Sequence, residues 1–415
     1  MAMHRFRQIA LTGALAFSIG ACQIGAPISE LDVAEIHANA IVLDAHADIQ
    51  IESTSPLYLG ADGRSKVAPD KLLQGGFDAV VMSVAASPQA RTPEGDALAS
   101  AESAEKLAAA LALADSMPAT IALATSADEV RANTEAGLVS VLLGFQNAQA
   151  LEGDVDRIDE LYNAGVRVFG LTHLGHNDFA DSSRPKFDGA TGTYEATEEH
   201  GGLSALGIAT VERIDTLGGL IDVSQMSKAA TLQAIEVATL PVIASHSNAK
   251  TLSDVTRNLS DEEIDRIGET GGVIHIAAFS AYLVDLSDPE LKAKIRDVRL
   301  AAGLPETYSY PYELYWELKD DAEKITFLTN MRALVGREDV SRMVDHIDYV
   351  VDRIGIDHVG IGTDFNHGGG VVGFEEADSA LNVTAELVRR GYSADEINKI
   401  WGGNFLRVLE AASTR

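Results

Sequence analysis

Eight short apolar runs recur along the chain, and they constrain the fold more than any other feature of the sequence. The runs are rich in Val and Ile and lie at residues 41–48, 77–84, 139–145, 166–172, 219–224, 241–245, 272–279 and 359–363. Helical patterns lie between most of them, for example at residues 103–114, 154–164, 206–217 and 227–237. Continuous apolar runs of this length are typical of buried parallel strands. Strands that alternate with helices in this way predict an α/β fold, a (β/α)8 TIM-type barrel with inserted loops on its C-terminal face.

Six of the eight runs end in a polar residue of a type that suits a chemical site. These residues are His46 and Asp48, Gln146, His173, Gln225, His246 and Asp364. His46 and Asp48 are two positions apart, so they point to the same side of a strand. An imidazole beside a carboxylate is a good start to a divalent-metal site. Because active sites of such barrels collect at the C-terminal ends of the strands, we expect these side chains to face one cavity.

The composition fits one large domain and does not favour a nucleic-acid partner. The chain has 415 residues, 46% of them hydrophobic, and a formal net charge of −30. Phosphate binding needs clustered Lys and Arg, which this charge disfavours. The longest irregular stretches, residues 178–201 and 285–315, are candidate lids or dimer elements. The second contains Tyr308, Tyr310, Tyr312 and Tyr315, which packing or an oligomer interface explains more readily than substrate stacking.

The first residues resemble a bacterial lipoprotein signal. A basic region precedes the apolar residues 9–19, a stretch too short to span a bilayer as a mature helix. Small residues then precede Cys22, the single cysteine of the chain. We predict a signal peptide at residues 1–21, a lipidated Cys22 that begins a tether over residues 22–36, and a single barrel domain over residues 37–415. The alternative is an ordinary secretory signal. Both predict export, and Gln23 after the cysteine suggests, by resemblance, a lipid-anchored, periplasm-facing location at the outer membrane.

Seven segments, in one order, carry a resemblance to a known family. They are residues 37–48 (HANAIVLDAHAD), 171–173 (LTH), 202–204 (GLS), 220–224 (LIDVS), 241–247 (PVIASHS), 359–365 (VGIGTDF) and 401–406 (WGGNFL). With these segments the chain resembles the membrane dipeptidase (renal dipeptidase) family of the amidohydrolase superfamily. The resemblance implies a metal-dependent hydrolase that acts on a dipeptide or a related amide. It also implies zinc as the cofactor and a homodimer as the assembly.

The resemblance implies metal-binding roles, and two residues depart from the family pattern. His46 and Asp48 would bind one zinc ion, and His246 would bind a second. Gln146 stands where the family has a glutamate that bridges the two ions, and Gln225 stands where it has a histidine. A glutamine amide is neutral and offers a metal only a weak carbonyl ligand. Both changes weaken the binding of the second metal ion, so the sequence favours a site reduced to one metal.

The resemblance also implies the residues that act on the substrate. Asp364 would handle the proton during catalysis, and His173 would polarise the substrate carbonyl or stabilise the oxyanion. Arg257 lies where the family has an arginine that binds the substrate carboxylate, a role for which a planar guanidinium is well suited.

Three functional hypotheses follow from these residues. The first is a one-metal amide hydrolase, the second an ordinary two-zinc dipeptidase, and the third a non-catalytic peptide-binding descendant. Retention of Asp364, His173 and Arg257 favours an enzyme. His176 and His367 closely follow site-bearing strands and are further candidates to contact metal or substrate. The remaining histidines near the strands, His200, His275 and His358, are assigned structural or surface roles.

Overall fold

Parallel strands form the centre of the computed structural model, which describes residues 30–188, 191–318 and 320–414. The strands are β1 (Leu43–Asp48), β2 (Ala79–Ser83), β3 (Ile121–Leu123), β4 (Val139–Gln146), β5 (Val166–Gly170), β6 (Phe187–Asp188), β7 (Thr193–Tyr194), β8 (Leu220–Asp222), β9 (Ile243–Ala244), β10 (Val273–Ala277) and β11 (Val359–Gly362). Eight of them pair in parallel in the order β1-β2-β4-β5-β8-β9-β10-β11. The backbone N–H of Asp48 donates to the carbonyl oxygen of Phe365 (2.9 Å), which brings the last strand against the first. The predicted (β/α)8 barrel is confirmed as a nearly closed barrel of eight parallel strands.

The strands are buried on both faces, which explains their continuous apolar sequences. Val80 and Val81 point to opposite faces of β2, and neither has any exposed surface. They belong to two different apolar clusters. In a barrel one face of each strand fills the interior and the other packs under the helices, so both faces must be apolar.

Helices pack around the barrel. They are α1 (Glu30–Asn39), α2 (Pro69–Gln74), α3 (Pro93–Ser116), α4 (Ala127–Glu135), α5 (Arg157–Asn163), α6 (Ala205–Leu217), α7 (Lys228–Val237), α8 (Asp261–Glu269), α9 (Ser280–Leu283), α10 (Pro289–Ala301), α11 (Asp321–Val335), α12 (Val340–Ile354), α13 (Leu381–Arg390), α14 (Ala394–Asn398) and α15 (Asn404–Ser413). The four predicted helical segments fall in α3, α5, α6 and α7. Helix α3 begins ten residues before the predicted segment, because the Thr92 side chain caps it and Pro93 occupies its first turn.

Two segments that the sequence predicts to be irregular contain regular structure. Residues 285–315 include the 13-residue helix α10, so the prediction was wrong for that part. The Asp288 side chain accepts the backbone N–H of Glu290 at the start of α10, and Ile295 is buried beneath the helix. Residues 178–201 include the β6–β7 hairpin. Strand β3, which pairs with β4, was not predicted because its three residues are too few to form a clear pattern.

The predicted signal peptide and Cys22 lie outside the described residues. Helix α1 begins at residue 30, inside the stretch predicted as a tether. His37 in α1 is bound to the rest of the domain, since its Nε2–H donates to the carbonyl oxygen of Gly75 (2.9 Å) and its Nδ1 accepts from the Thr384 hydroxyl (2.6 Å). Among the helices that the structure describes, none has the length and apolar character needed to cross a bilayer.

Candidate metal and substrate site

The polar residues at the strand ends meet at one end of the barrel. Each of the predicted residues is buried, with at most 6% of its surface exposed: His46, Asp48, Gln146, His173, Gln225, His246 and Asp364. A cavity of about 660 Å³ opens beside them, and His173, Gln225 and Asp364 form part of its wall. The barrel therefore collects these side chains at one end, and three of the seven reach the cavity wall.

The closest group of metal-ligating side chains in the described part of the chain consists of His46, His246 and Asp364. Their ligand atoms all lie within 4.8 Å of one another, and the His46 and His246 rings stack with centroids 3.8 Å apart. Nε2 of His46 is also 3.8 Å from Oδ1 of Asp48. Neither of those two atoms has a hydrogen-bond partner among the described residues. Buried polar atoms without partners are rare, so this pair and its neighbours fit a divalent cation with nitrogen and oxygen ligands.

A hydrogen-bonded chain behind the cluster orients His246. The Ser245 hydroxyl donates to Oδ2 of Asp222 (2.5 Å) and lies 2.8 Å from Nδ1 of His246. Because a carboxylate only accepts, the hydroxyl hydrogen belongs to the Asp222 bond, and the serine oxygen accepts from Nδ1–H of His246. The lone pair of His246 is then on Nε2, the nitrogen nearer to Gln225. Such outer partners fix the ring orientation of metal-binding histidines.

Asp44 holds the first and last strands together directly behind His46. Its Oδ1 accepts the backbone N–H groups of His46 (3.0 Å) and Thr363 (2.8 Å), and its Oδ2 accepts the Thr363 hydroxyl (2.5 Å). The backbone N–H of Asp364 in turn donates to the carbonyl oxygen of His46 (2.9 Å). Asp364 has a φ of 57°, a left-handed conformation that is uncommon for residues other than glycine. These bonds compensate for that conformation and fix the Asp364 backbone beside His46.

The two glutamines at the strand ends differ in what their amides contact. Both amide atoms of Gln146 are buried without a hydrogen-bond partner in the described structure, so its oxygen is available to a ligand. The Gln225 oxygen instead accepts a hydrogen bond from the Arg184 guanidinium (2.5 Å), and its Nε2 lies 3.1 Å from Nε2 of His246. Arginine only donates, which fixes the orientation of the Gln225 amide. Its NH2 group donates to Nε2 of His246, so this amide must turn away before that nitrogen can bind a metal. An amide NH2 does not bind cations, so Gln225 does not fit a metal ligand in this arrangement.

Lys106 and His367 also reach the site, next to Asp48. Nζ of Lys106 lies 3.6 Å from Oδ2 of Asp48 and donates to the carbonyl oxygen of Ala85 (2.6 Å). Nδ1 of His367 is 3.5 Å from the same carboxylate oxygen, and its ring stacks on His173 with centroids 4.9 Å apart. The sequence marks His367 by its position just after Asp364. The sequence does not indicate a role for Lys106, because a lysine within a helix is ordinarily expected to be solvated.

Two buried arginines lie close to the cluster. Arg257, the predicted carboxylate-binding residue, donates from Nη1 to the carbonyl oxygen of His246 (2.8 Å), and its guanidinium lies 4.1 Å from the Tyr282 ring centroid. Its Nε and Nη2 have no hydrogen-bond partner among the described residues, but Arg257 is 2% exposed and is not part of the cavity wall. Arg184, which the sequence analysis did not identify, comes from the 178–201 insertion and lies 5.0 Å from the Tyr310 ring centroid.

Burial sets the charge of the site. It lowers the pKa of His46 to about 4, and it holds the pKa values of His173 and His246 well below the ordinary value for histidine. Burial also raises the pKa of the Asp364 carboxyl to about 8, although the charge of Arg257 opposes this shift. Neutral imidazoles are the form that binds metal ions. A carboxyl group that exchanges a proton near neutral pH suits general acid–base chemistry.

The other histidines serve the fold. Both ring nitrogens of His176 are engaged within the insertion, by the backbone N–H of Ser182 (3.0 Å) and the carbonyl oxygen of Ala196 (2.7 Å). The remaining three each hydrogen-bond a backbone carbonyl oxygen: His200 that of Asn177, His275 that of Ala244, and His358 that of Gly272. His176 is therefore not placed to replace a lost metal ligand.

The model of the membrane dipeptidase family (Peptidase family M19) matches residues 31–415. Dipeptidase aclJ of Aspergillus oryzae is 29% identical over 274 residues, which cover 66% of this chain and 51% of that protein. Dipeptidase tcpJ of Claviceps purpurea is 29% identical over 291 residues, covering 69% of this chain and 54% of that protein. The chain thus spans about half the length of these relatives.

Solved structures show the same fold. The probable dipeptidase PvdM from Pseudomonas aeruginosa superposes with a TM-score of 0.81 at 30% identity, covering 92% of this chain and 98% of that one. A metallopeptidase from Rhodobacter sphaeroides, solved with a phosphinate mimic of the dipeptide L-Ala-D-Ala, has a TM-score of 0.68 at 19% identity and covers 90% of this chain and 99% of that one. These matches confirm the family predicted from the sequence motifs. The chain belongs to the membrane dipeptidase family, peptidase family M19, a family of metal-dependent peptidases.

Proposed function

We propose that this protein is an exported metal-dependent amide hydrolase that cleaves dipeptides or closely related amides with one zinc ion. The observation that carries the proposal is the pair of unpartnered, buried ligand atoms, Nε2 of His46 and Oδ1 of Asp48, which lie 3.8 Å apart at the end of β1. His246 and Asp364 lie against the same pair. Leaving such atoms without partners would be costly unless a ligand completes them.

Each residue around this pair would have a separate role in amide hydrolysis. A bound metal would supply a Lewis acid and lower the pKa of a water molecule. Asp364, at the cavity wall, would take the proton from the attacking water and pass it to the leaving amine. His173, neutral and with Nδ1 unpartnered, would stabilise the developing oxyanion. Arg257 would hold the substrate carboxylate and so set the position of the scissile amide.

The proposal of one ion, and not two, rests on the glutamines. The Arg184 guanidinium already hydrogen-bonds the Gln225 oxygen. It also adds a positive charge at the place where the family's second ion would need a ligand. Gln146 is neutral and does not supply the bridging charge that keeps two dications close together. Lys106 adds a further cation beside Asp48. Together these groups favour a single divalent ion in the cluster.

Metal content and hydrolysis, measured on the same samples, test the proposal. We expect about one zinc ion per chain in the purified protein, and hydrolysis of at least some members of a dipeptide panel. His46→Ala should abolish both while costing little stability, because a strand-end ligand does not fill the core. His358→Gln is the matched control and should leave both properties unchanged, since His358 lies just before the start of β11 and hydrogen-bonds the carbonyl oxygen of Gly272 (2.8 Å).

The same measurements distinguish the alternatives. About two ions per chain with rapid hydrolysis would support an ordinary two-zinc dipeptidase. No bound metal and no hydrolysis would support a non-catalytic peptide-binding protein. Full metal content in His46→Ala would refute the assignment of the β1 pair.

We further propose that the mature protein is lipid-anchored through Cys22, faces the periplasm at the outer membrane and forms a homodimer. The sequence around Cys22 supports the anchor, and the family resemblance supports the dimer. Light scattering of the purified protein tests the dimer, and a monomeric mass at micromolar concentration would contradict it.

A further inference from the structure

The cavity beside the cluster is unusually rich in positive charge for this protein. The whole chain has a net charge of −30, yet the cavity wall includes Lys66, Arg184, Lys186 and Arg332 against the carboxylates of Asp364 and Glu317. Within the described part of the chain, none of these four cations lies within 4.0 Å of a carboxylate oxygen. Most other cations in the described part of the chain lie, by contrast, within 4.0 Å of a carboxylate oxygen, as Arg390 does with Glu386 (2.8 Å). The cavity therefore presents unpaired cations to whatever it binds.

The cations reach the cavity from different segments of the chain. Arg184 is beside the reaction centre, where it contacts Gln225 and Tyr310. Lys66 lies against the glycine loop that follows Asp364, where its Nζ donates to the carbonyl oxygen of Gly369 (2.5 Å). Arg332 approaches from α11, and its charge acts on both Lys66 and Tyr315. We refer to Lys66 and Arg332 as the distal cation pair.

The glycine loop fixes Lys66 in the wall. A side chain at Gly369 would place Cβ 2.1 Å from the Thr363 carbonyl oxygen and 2.5 Å from Asp364, so only glycine allows this loop to approach the catalytic aspartate. The loop carbonyl that Lys66 contacts therefore stays next to the reaction centre. A lysine ammonium has three donors, and the Gly369 bond uses one of them. The others are available to a ligand in the cavity.

Aromatic side chains line the space that both groups of cations share. They are Tyr58, Phe279, Tyr282, Tyr310, Tyr312 and Tyr315. A volume of about 660 Å³ falls in the range of roughly 300–1,000 Å³ that is common for small-molecule sites. The space is thus large enough for a substrate whose side chain extends beyond the scissile amide. The cations in its wall suit a ligand that carries anionic groups.

We propose that the preferred substrate is a dianionic amide, with one carboxylate bound near Arg257 and Arg184 and a second anionic group bound by the distal cation pair, Lys66 and Arg332. This inference rests on the proposed hydrolase function and names its substrate class. A charged group without a partner in a partly desolvated wall gains more from an anionic ligand than a solvated surface lysine would. A neutral substrate would leave the distal pair unsatisfied. The same pair would therefore select against neutral dipeptides.

Matched dipeptides that differ only in charge test the proposal. Glu and Gln side chains have nearly the same shape, so Ala-Glu is compared with Ala-Gln, and Glu-Ala with Gln-Ala. We expect kcat/KM to be at least about tenfold higher for the glutamate member of one pair, the size of effect typical of a charge-assisted hydrogen bond. In the double variant Lys66→Met, Arg332→Gln this ratio should fall to near one. Lys324→Gln removes one charge from the same helix, where Lys324 pairs with Asp321 (3.1 Å), and should keep the wild-type ratio.

Equilibrium binding separates failure of this inference from failure of the proposed function. Calorimetry with Asp364→Asn, made in the full-length protein, measures Kd for the same four dipeptides without turnover. If no dipeptide is hydrolysed by the wild type but the glutamate member still binds at least about tenfold more tightly, the subsite stands and the hydrolase proposal falls. If dipeptides are hydrolysed but glutamate and glutamine are treated equally in both orders, the dianion subsite is refuted. A glutamate preference that survives in the double variant would also refute it.

Discussion

Ser245 is the best place to test how the barrel orients His246, the histidine that we propose lies against the metal. Its hydroxyl lies 2.5 Å from Oδ2 of Asp222 and 2.8 Å from Nδ1 of His246, and no part of it is exposed. Ser245→Ala removes both bonds, together with the longer contact of the hydroxyl to Nδ1 of His46 (3.4 Å), and leaves the backbone and the volume of the core almost unchanged. The change isolates the hydrogen-bonded chain from the ligand itself.

The structure sets two magnitudes for Ser245→Ala. A hydrogen bond to a charged group contributes about 1.5–3 kcal/mol, and the second oxygen of Asp222 would be left buried without its hydroxyl partner, so the free energy of unfolding should fall by about 2–3 kcal/mol. Without a fixed Nδ1–H, His246 loses its preferred tautomer and orientation. Loss of such an outer partner lowers metal affinity about 10–100-fold, which is about 1.4–2.8 kcal/mol.

Zinc titration against a competing chelator measures the affinity, and urea unfolding of the metal-free protein measures the stability. Ser247→Ala is the control, because Ser247 is equally buried but its hydroxyl contacts only the Ser224 hydroxyl (3.3 Å). The control should lose about 1 kcal/mol of stability or less and keep its zinc affinity. If Ser245→Ala loses stability but binds zinc as tightly as the wild type, His246 is not oriented through Ser245 for metal binding.

Three further predictions concern other parts of the chain. The double change Gln146→Glu, Gln225→His should add about one metal ion per chain and raise dipeptidase activity, whereas Gln225→His alone should have a much smaller effect. Metal analysis of the purified variants measures the change, and two ions already present in the wild type would contradict the reasoning. Burial lowers the pKa of His346 to about 3, so below pH 6.5 only the unfolded chain takes up this proton, and stability falls as the pH falls from 6.5 towards 3. His346→Gln should reduce that slope by up to about 1.4 kcal/mol per pH unit in urea unfolding, and an unchanged slope would show that the folded state protonates His346 normally. Cys22→Ser should move the protein from the membrane fraction to a soluble or unprocessed form, and mature wild-type protein found wholly soluble in the periplasm would count against lipidation.

The barrel and the strand-end residues could be predicted because both depend on simple periodicities. An apolar run that ends in a polar residue places that residue at the mouth of a barrel, whatever the details of packing. His46, His246 and Asp364 are brought together by this rule alone. Asp44 could have been noticed as well, because it is a charged residue inside an apolar run, two residues before His46.

Lys106 and Arg184 could not be predicted, because neither lies on a strand. Lys106 reaches Asp48 from α3, and the sequence of a helix does not indicate which of its lysines points to the end of a neighbouring strand. Arg184 belongs to an insertion whose path depends on tertiary contacts. The orientation of the Gln225 amide depends on Arg184, so the sequence could identify a weak ligand at this position but not that its oxygen is already bound. Long-range partners of this kind are set by the whole fold and not by local pattern.

The seam between the first and last strands has a consequence for the order in which the protein matures. Asp44 and Thr363 are hydrogen-bonded although they are 319 positions apart in the chain, and the cluster at this seam joins His46 to Asp364. During synthesis the amino-terminal half emerges long before its carboxyl-terminal partner exists. A nascent chain therefore holds an isolated histidine and aspartate that have little affinity for zinc until almost the whole polypeptide has been made. We therefore expect metal binding only after nearly the whole chain has been synthesised. A chain truncated before residue 364 should not bind the metal.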